Sequence, residues 1–135
     1  VDSLKLLKEI NKQAAKTGKP VDCLLQVHIA QEETKFGLDE TELREVLKTV
    51  RTEGMDHVRI CGLMGMASFS TDTSLLVKEF RQLRQLFDSC KELAPAGNHF
   101  QQLSMGMSSD YRLAIEEGST MLRIGSLLFG EREQK

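Results

Sequence analysis

The sequence predicts an α/β protein built on a parallel sheet, and three observations support this fold class. Apolar segments of strand length alternate with amphipathic helical segments, and successive strands begin about 20 to 40 residues apart, which leaves room for a crossover helix. The strand segments are apolar rather than alternating, as expected when both faces of a sheet are covered. The 135 residues are 40% hydrophobic and 28% charged, so one packed domain, or a piece of one, is expected.

The first helix and the first strand are predicted within residues 1–30. Asp2 or Ser3 is available to cap the helix, and Gly18-Lys19-Pro20 stops it. The apolar run 23–30 then has the length of a strand. The apolar positions that recur at helical spacing in this helix are Leu4, Leu7, Ile10 and Ala14.

The second helix begins at Asp39, which forms a capping-box pattern with Glu42. Leu38 and Leu43 are placed as a hydrophobic staple, and Gly54 closes the helix. Residues 58–67 are predicted to form the second strand. The predicted buried stripe of this helix is Leu43, Val46, Leu47 and Val50.

The third helix is predicted to begin after Asp72 and to end at Pro95 and Gly97. Its buried stripe is Leu76, Phe80, Leu83, Phe87 and Cys90. The third strand then covers residues 100–106.

The last predicted elements are a short helix and a fourth strand. Ser108 or Ser109 is expected to cap this helix, which ends at Gly118. Residues 120–124 form the strand.

Two parallel architectures fit this order of elements. A doubly wound open sheet usually carries G-x-G-x-x-G at its first strand-to-helix turn, and none follows the first strand here. A barrel carries its functional groups at the C-terminal ends of several strands and often binds phosphate after strands seven and eight. Because a closed barrel needs about 200 residues or more, we expect the C-terminal half of a (β/α)8 TIM-type barrel, strands 5–8, over residues 1–135, with four β/α units ahead of Val1 missing.

Composition excludes several other classes of protein. With 18 basic and 20 acidic residues, the net charge of −2 gives no field that would attract nucleic acid. No apolar run approaches the roughly 18 residues of a membrane helix, and residues 1–5 have neither the apolar core of a signal peptide nor the Arg-rich face of a transit peptide, so neither is expected. His57 and His99 lack metal-ligand spacing, so no metal site is expected. The three cysteines are odd in number and widely spaced, so they support no disulfide framework, and a reducing cytoplasm is the default location. These cysteines are Cys23, Cys61 and Cys90.

The densest candidate site lies at the end of the third strand. Ser104 offers a hydroxyl, Gly106 lets a ligand approach the backbone, and Ser108-Ser109 open a helix whose free amides suit a phosphate. Taken alone, this segment also fits an ordinary serine cap.

A matching pattern ends the fourth strand. Gly125 and Ser126 repeat the combination of a small residue and a hydroxyl. Arg123 lies in an apolar strand and needs a partner for its charge, which could also be a carboxylate. Together the two segments match phosphate binding after strands seven and eight.

A third candidate follows the first strand. Lys35 could point at the barrel mouth or be a solvated loop lysine, and His28 reads as a satisfied core histidine. The methionines near the strand ends read as core residues; they are Met64, Met66, Met105 and Met107.

These motifs resemble the pyridoxal phosphate homeostasis protein family, whose members are related to the alanine racemase N-terminal barrel. The resemblance rests on residues 103–110, with Ser-Met-Gly-Met-Ser, on 114–120, on Arg-Ile-Gly-Ser at 123–126 and on Phe129-Gly130-Glu131-Arg132. Two further segments match, Gln26-Val27-His28 through Glu33, Lys35 and Gly37, and Gly62-Leu63-Met64-Gly65-Met66. It covers essentially the whole chain in order.

The resemblance implies a site for pyridoxal 5′-phosphate. Ser104, Gly125 and Ser126 would bind the phosphate, and Arg123 would approach the pyridine nitrogen, where a cation weakens the ring as an electron sink. Met105 and Lys35 are the other cofactor-binding residues implied. The family usually has Asn at position 28 and often Thr at position 126. Its Schiff-base lysine belongs to the N-terminal half, so this chain would hold only the phosphate end.

The function implied is a non-catalytic protein of intracellular cofactor homeostasis. The alternative is an enzyme of the alanine racemase type, which would need a catalytic tyrosine from a separate domain, whereas the only tyrosine is Tyr111. A purely structural half-barrel is a third alternative. Exposed sheet edges predict that the chain associates with its missing half or with itself.

Overall fold

In the computed structural model, which describes residues 1–32, 36–94 and 99–130, four strands form one parallel sheet in the order β1-β2-β3-β4. This confirms the predicted α/β class with a parallel sheet. The elements, in chain order, are α1 (Leu4–Thr17), β1 (Val21–Gln26), α2 (Glu40–Thr52), β2 (Val58–Gly65), α3 (Thr73–Cys90), β3 (Gln102–Met107), α4 (Tyr111–Glu116), β4 (Met121–Arg123) and α5 (Ser126–Phe129).

The strand order decides where the core lies. Crossovers between parallel strands are right-handed, so strands that follow one another in chain order carry their crossover helices on one face of the sheet. Side chains that point to this face are fully buried, among them Leu25, Leu63 and Leu103. Alternate residues such as Gln26 and Met64 point to the other side, which we call the open face.

The first three predicted helices form because each has a capping residue at its start and an apolar stripe that packs into the core. Ser3 caps α1 by accepting from the Leu6 amide, and Gly18 ends it at a φ of 72°. Asp39 and Glu42 form the complete capping box of α2. Of the stripes, the structure buries two α1 positions and every predicted α2 and α3 position: Leu7, Ala14, Leu43, Val46, Leu47, Val50, Leu76, Phe80, Leu83, Phe87 and Cys90.

Element boundaries differ from the predicted ones where pairing decides them. β1 spans Val21–Gln26, whereas residues 23–30 were predicted; the Val27 amide donates the last bond to β2, at the Met64 carbonyl, and Val27 bridges to Leu38 on the other edge. Asp72 caps α3 as predicted, and the helix ends at Cys90. The predicted stop signals Pro95 and Gly97 lie outside the described residues.

The predicted cap of the fourth helix is wrong. Neither Ser108 nor Ser109 caps α4, because Asp110 occupies the N-cap position. The Asp110 carboxylate turns back to accept from the Met107 amide at 2.7 Å, which closes the turn after β3. Helix α5 was not predicted at all, since its four residues are too few to show a period. Among the described residues, none of the helices has the length and apolar character needed to cross a bilayer.

Candidate functional site

The C-terminal ends of β3 and β4 lie side by side, because the strands are parallel and Met107 is in register with Arg123. Between the pairs Ser104–Met121 and Met107–Arg123, β3 advances three residues and β4 only two. The extra residue is a β-bulge, which a φ of 106° at Gly106 accommodates. The bulge brings the loop after β3 to the loop after β4.

Ser108 joins these two loops. Its hydroxyl oxygen accepts hydrogen bonds from the amides of Gly125 and Leu127, each at 3.2 Å. The serine therefore satisfies amides at the first turn of α5, in the neighbouring β/α unit, instead of the helix that follows it in sequence. Sequence reasoning missed this contact, because the partners are 17 and 19 residues away.

The start of α5 is open to a ligand. Gly125 and Ser126 are both exposed, and a Cβ placed on Gly125 would meet no atom within 4 Å. The Ser126 amide donates no hydrogen bond to any described residue. A backbone amide and a hydroxyl beside a glycine are groups that bind an anionic oxygen.

Arg123 crosses the site from β4 to β2. Its Nη2 donates to the carbonyl oxygen of Gly65 at 2.8 Å. Because β3 lies between these strands, the side chain must pass over the end of β3 on the open face. Its Nε is buried and has no hydrogen-bond partner among the described residues.

The electrostatics of Arg123 follow from this position. Burial lowers the pKa of the guanidinium, and the nearby Asp110 carboxylate opposes that shift. A guanidinium stays protonated in proteins, so Arg123 is a partly buried cation whose buried Nε–H has no hydrogen-bond partner among the described residues. An acceptor atom of a ligand would satisfy that donor.

Ser104 lies within β3, before the bulge, and not in the loop that bonds to Gly125. It is only 1% exposed, and its neighbours Leu103 and Met105 point to the helices, so its own side chain points to the open face. No hydrogen bond links it to Gly125 or Ser126 within the described chain.

Two neighbours of Ser104 turn inward to the protein. The Met105 side chain is fully buried in the core, so a ligand could reach only its backbone. A Cβ on Gly106 would lie 2.7 Å from Ala114 and 2.9 Å from Leu122. Gly106 thus allows α4 and β4 to pack closely, rather than leaving space for a ligand.

The end of β1 is fixed by short-range contacts. Gln26 donates to the Phe36 carbonyl at 3.0 Å, and Nε2 of half-buried His28 lies 2.9 Å from the Glu32 carbonyl oxygen. His28 thus has a backbone partner, as expected for a structural histidine. Lys35, the proposed second lysine, lies outside the described residues.

Comparison with known proteins reveals similarity along nearly the whole chain. Residues 1–133 match the family described as alanine racemase, N-terminal domain. A pyridoxal phosphate homeostasis protein from Aquifex aeolicus (strain VF5) is 40% identical over 134 residues, which cover 98% of this chain and 57% of that protein. The chain therefore spans little more than half the length of this relative.

Solved structures resemble the fold. PipY of Synechococcus elongatus PCC7942, with PLP bound, superimposes with a TM-score of 0.83 at 33% identity, over 96% of this chain and 58% of that one. Alanine racemase from Bartonella henselae, with covalently bound pyridoxal phosphate, superimposes with a TM-score of 0.63 over 98% of this chain and 36% of that one. At 16% identity, the second similarity concerns the fold alone.

Proposed function

Because this chain belongs to the alanine racemase N-terminal domain family, we propose that it supplies the phosphate end of a pyridoxal 5′-phosphate site in a non-catalytic protein of cofactor homeostasis. Similarity to the Aquifex protein of that name and to PLP-bound PipY supports the cofactor. The observation that carries the proposal is the buried Arg123 Nε without a partner, next to an open start of α5.

The residues present fit this cofactor. The phosphate is bound at Gly125 and Ser126, where a helix start and an exposed hydroxyl meet, and Ser104 lines the open face beneath it. Ser108 holds the loop that carries Gly125 and can still donate its own hydroxyl proton, because it only accepts from the two amides.

Arg123 faces the pyridine ring. Its unused Nε–H is a donor for the ring nitrogen, and a cation that cannot lose its proton keeps that nitrogen unprotonated. A bound pyridoxal ring supplies an electron sink, and an unprotonated nitrogen weakens it. The proposed arrangement therefore favours holding the cofactor over using it. Met105 contributes through its backbone only, and Lys35 is the proposed second lysine near the ring.

We propose further that residues 1–135 are the C-terminal half, strands 5–8, of a (β/α)8 barrel. Val1 supports this: its amino group donates to the Leu24 carbonyl at 2.9 Å, and its carbonyl accepts from the Gln26 amide at 2.8 Å. These two bonds around Leu25 have the pattern of a parallel strand pair, so Val1 lies where a residue of a neighbouring parallel strand would pair with β1. The lysine that binds the cofactor covalently would belong to that other half.

The proposed partners and location follow from the same picture. The outer edge of β4, and the part of the β1 edge that Val1 and Leu38 leave unpaired, pair with the other half-barrel or with a second copy. Three free cysteines, Cys23, Cys61 and Cys90, support a reducing cytoplasm.

The experiment measures the affinity of the intact protein that contains this chain for pyridoxal phosphate. We expect Arg123→Ala and Ser126→Ala each to weaken pyridoxal phosphate binding about tenfold, which corresponds to a loss of roughly 1.4 kcal/mol in binding free energy. Unchanged affinity in both variants would remove the site assignment. Racemisation of alanine by the intact protein would favour the enzyme alternative instead.

A second test separates the two halves. We expect the 135-residue chain alone to form no borohydride-reducible adduct with the cofactor. A stable adduct at Lys35 would contradict the placement of the covalent lysine elsewhere.

A further inference from the structure

A buried carboxylate lies behind the candidate site, on the helix side of the sheet. Glu79 of α3 is only 3% exposed, and its two oxygens accept from the amide and the hydroxyl of Ser68, both at 2.6 Å. Ser68, 5% exposed, in turn accepts from the Gln31 amide at 2.8 Å. Buried polar groups that satisfy one another in this way fix local geometry.

This network, which we call the Glu79–Ser68–Gln31 relay, ties two loops together. Ser68 belongs to the loop after β2, and Gln31 belongs to the loop after β1. A second bond links the same loops, because the Glu32 carboxylate accepts from the Phe69 amide at 2.8 Å. Both loops extend from the edge of the sheet at which Arg123 ends.

The relay connects to the site through Gly65. The Gly65 carbonyl accepts from Arg123 and lies three residues before Ser68. Glu79 and Leu83 are four residues apart on α3 and so share one helix face. A Cβ on Gly65 would lie 2.7 Å from Leu83, so this face of α3 is packed against both ends of segment 65–68.

We propose that Glu79 is a positioning residue for the cofactor site. Through Ser68 it fixes the end of β2, so that the Gly65 carbonyl holds the Arg123 guanidinium with its Nε–H toward the ring. The inference rests on the proposed function, and it adds a residue that touches neither the cofactor nor Arg123. Within the described part of the chain, the Gly65 carbonyl is the one hydrogen-bond acceptor of Arg123, so the orientation of the guanidinium depends on where segment 65–68 lies.

The test compares two substitutions of Glu79 with a matched control. Glu79→Gln can keep the relay, since its oxygen accepts from the Ser68 amide and its amide group donates to the Ser68 hydroxyl. Glu79→Ala leaves the donors of Ser68 without a partner. Asn11→Ala is the control, because Asn11 accepts from the His57 amide at 2.9 Å at the opposite end of the sheet.

In the intact protein we expect Glu79→Ala to weaken pyridoxal phosphate binding and pyridoxal binding by the same factor, about tenfold. Because pyridoxal lacks the phosphate, an equal loss of affinity for both ligands would show that the substitution affects binding of the ring and not of the phosphate. Glu79→Gln should stay within about twofold of the unmodified protein. Asn11→Ala should lower the melting temperature without changing either affinity.

A cofactor-free measurement makes the result independent of the proposed function. The ¹⁵N resonance of the Arg123 Nε should move in Glu79→Ala but not in Glu79→Gln or Asn11→Ala. If Glu79→Ala lowers the melting temperature while the resonance stays in place, the positioning role is wrong. If the resonance moves but the unmodified protein binds no pyridoxal phosphate, the positioning stands and the proposed function fails.

Discussion

Replacing Ser108 with alanine tests how the two strand ends are joined. The hydroxyl of Ser108 accepts from the Gly125 and Leu127 amides, each at 3.2 Å. Alanine removes the acceptor and leaves two amides at the start of α5 to find water. The fold around it should persist, because Ser108 is half-buried and contributes no core volume.

The expected magnitude follows from the two bonds. Both are long and partly exposed, so each contributes near the lower part of the usual 0.5–1.5 kcal/mol. Ser108→Ala should therefore lower the free energy of unfolding by about 1–2 kcal/mol, or the melting temperature by roughly 3–6 °C. Because the loop carrying Gly125 loses its anchor, pyridoxal phosphate affinity should fall about tenfold.

The assay pairs thermal melting with affinity for pyridoxal phosphate and for pyridoxal, which lacks the phosphate. Ser109→Ala is the control, since Ser109 is exposed and makes no side-chain hydrogen bond to the described residues. We expect Ser108→Ala to reduce only the phosphate-dependent part of the affinity, and Ser109→Ala to change nothing. Equal losses for both ligands, or a Ser108→Ala variant as tight as the control, would refute the anchoring role.

Three further predictions follow from the fold. Gly62→Ala should prevent stable folding, because the new Cβ would overlap the Gln102 carbonyl and Gly62 has a φ of 152°. Soluble yield and circular dichroism measure this, and a native spectrum would contradict it. Burial raises the pKa of all three thiols, so their reaction with a disulfide reagent should be slow at pH 7 and faster as the pH rises. Half-exposed Cys61 should react before buried Cys23 or Cys90. An immediate reaction at neutral pH would contradict this prediction. The isolated chain should self-associate through its open sheet edges, and a single monomer boundary in sedimentation velocity would show otherwise.

Local signals made much of the fold predictable. The capping box of Asp39 and Glu42 and the cap at Asp72 involve residues two or three positions apart, so the sequence displays each interaction whole. The parallel sheet was predictable from apolar strands spaced by helices. Where contacts between distant residues decide, prediction was wrong or silent: Ser108 bonds to the Gly125 amide, 17 residues away, and Asp110 takes the N-cap position of α4. β1 ends at Gln26, and the next residue, Val27, bridges to Leu38.

The candidate site divides in the same way. The residue types at the strand ends can be read from the sequence, and their resemblance to a known family suggested the proposed cofactor. Which of these residues meet depends on the fold: Ser108 rather than Ser104 bonds to Gly125, and Arg123 bonds to Gly65, 58 residues away. These contacts depend on strand order and on the bulge at Gly106, both set by packing between distant segments. A local sequence pattern does not predict such packing, because register is fixed only when the strands pair.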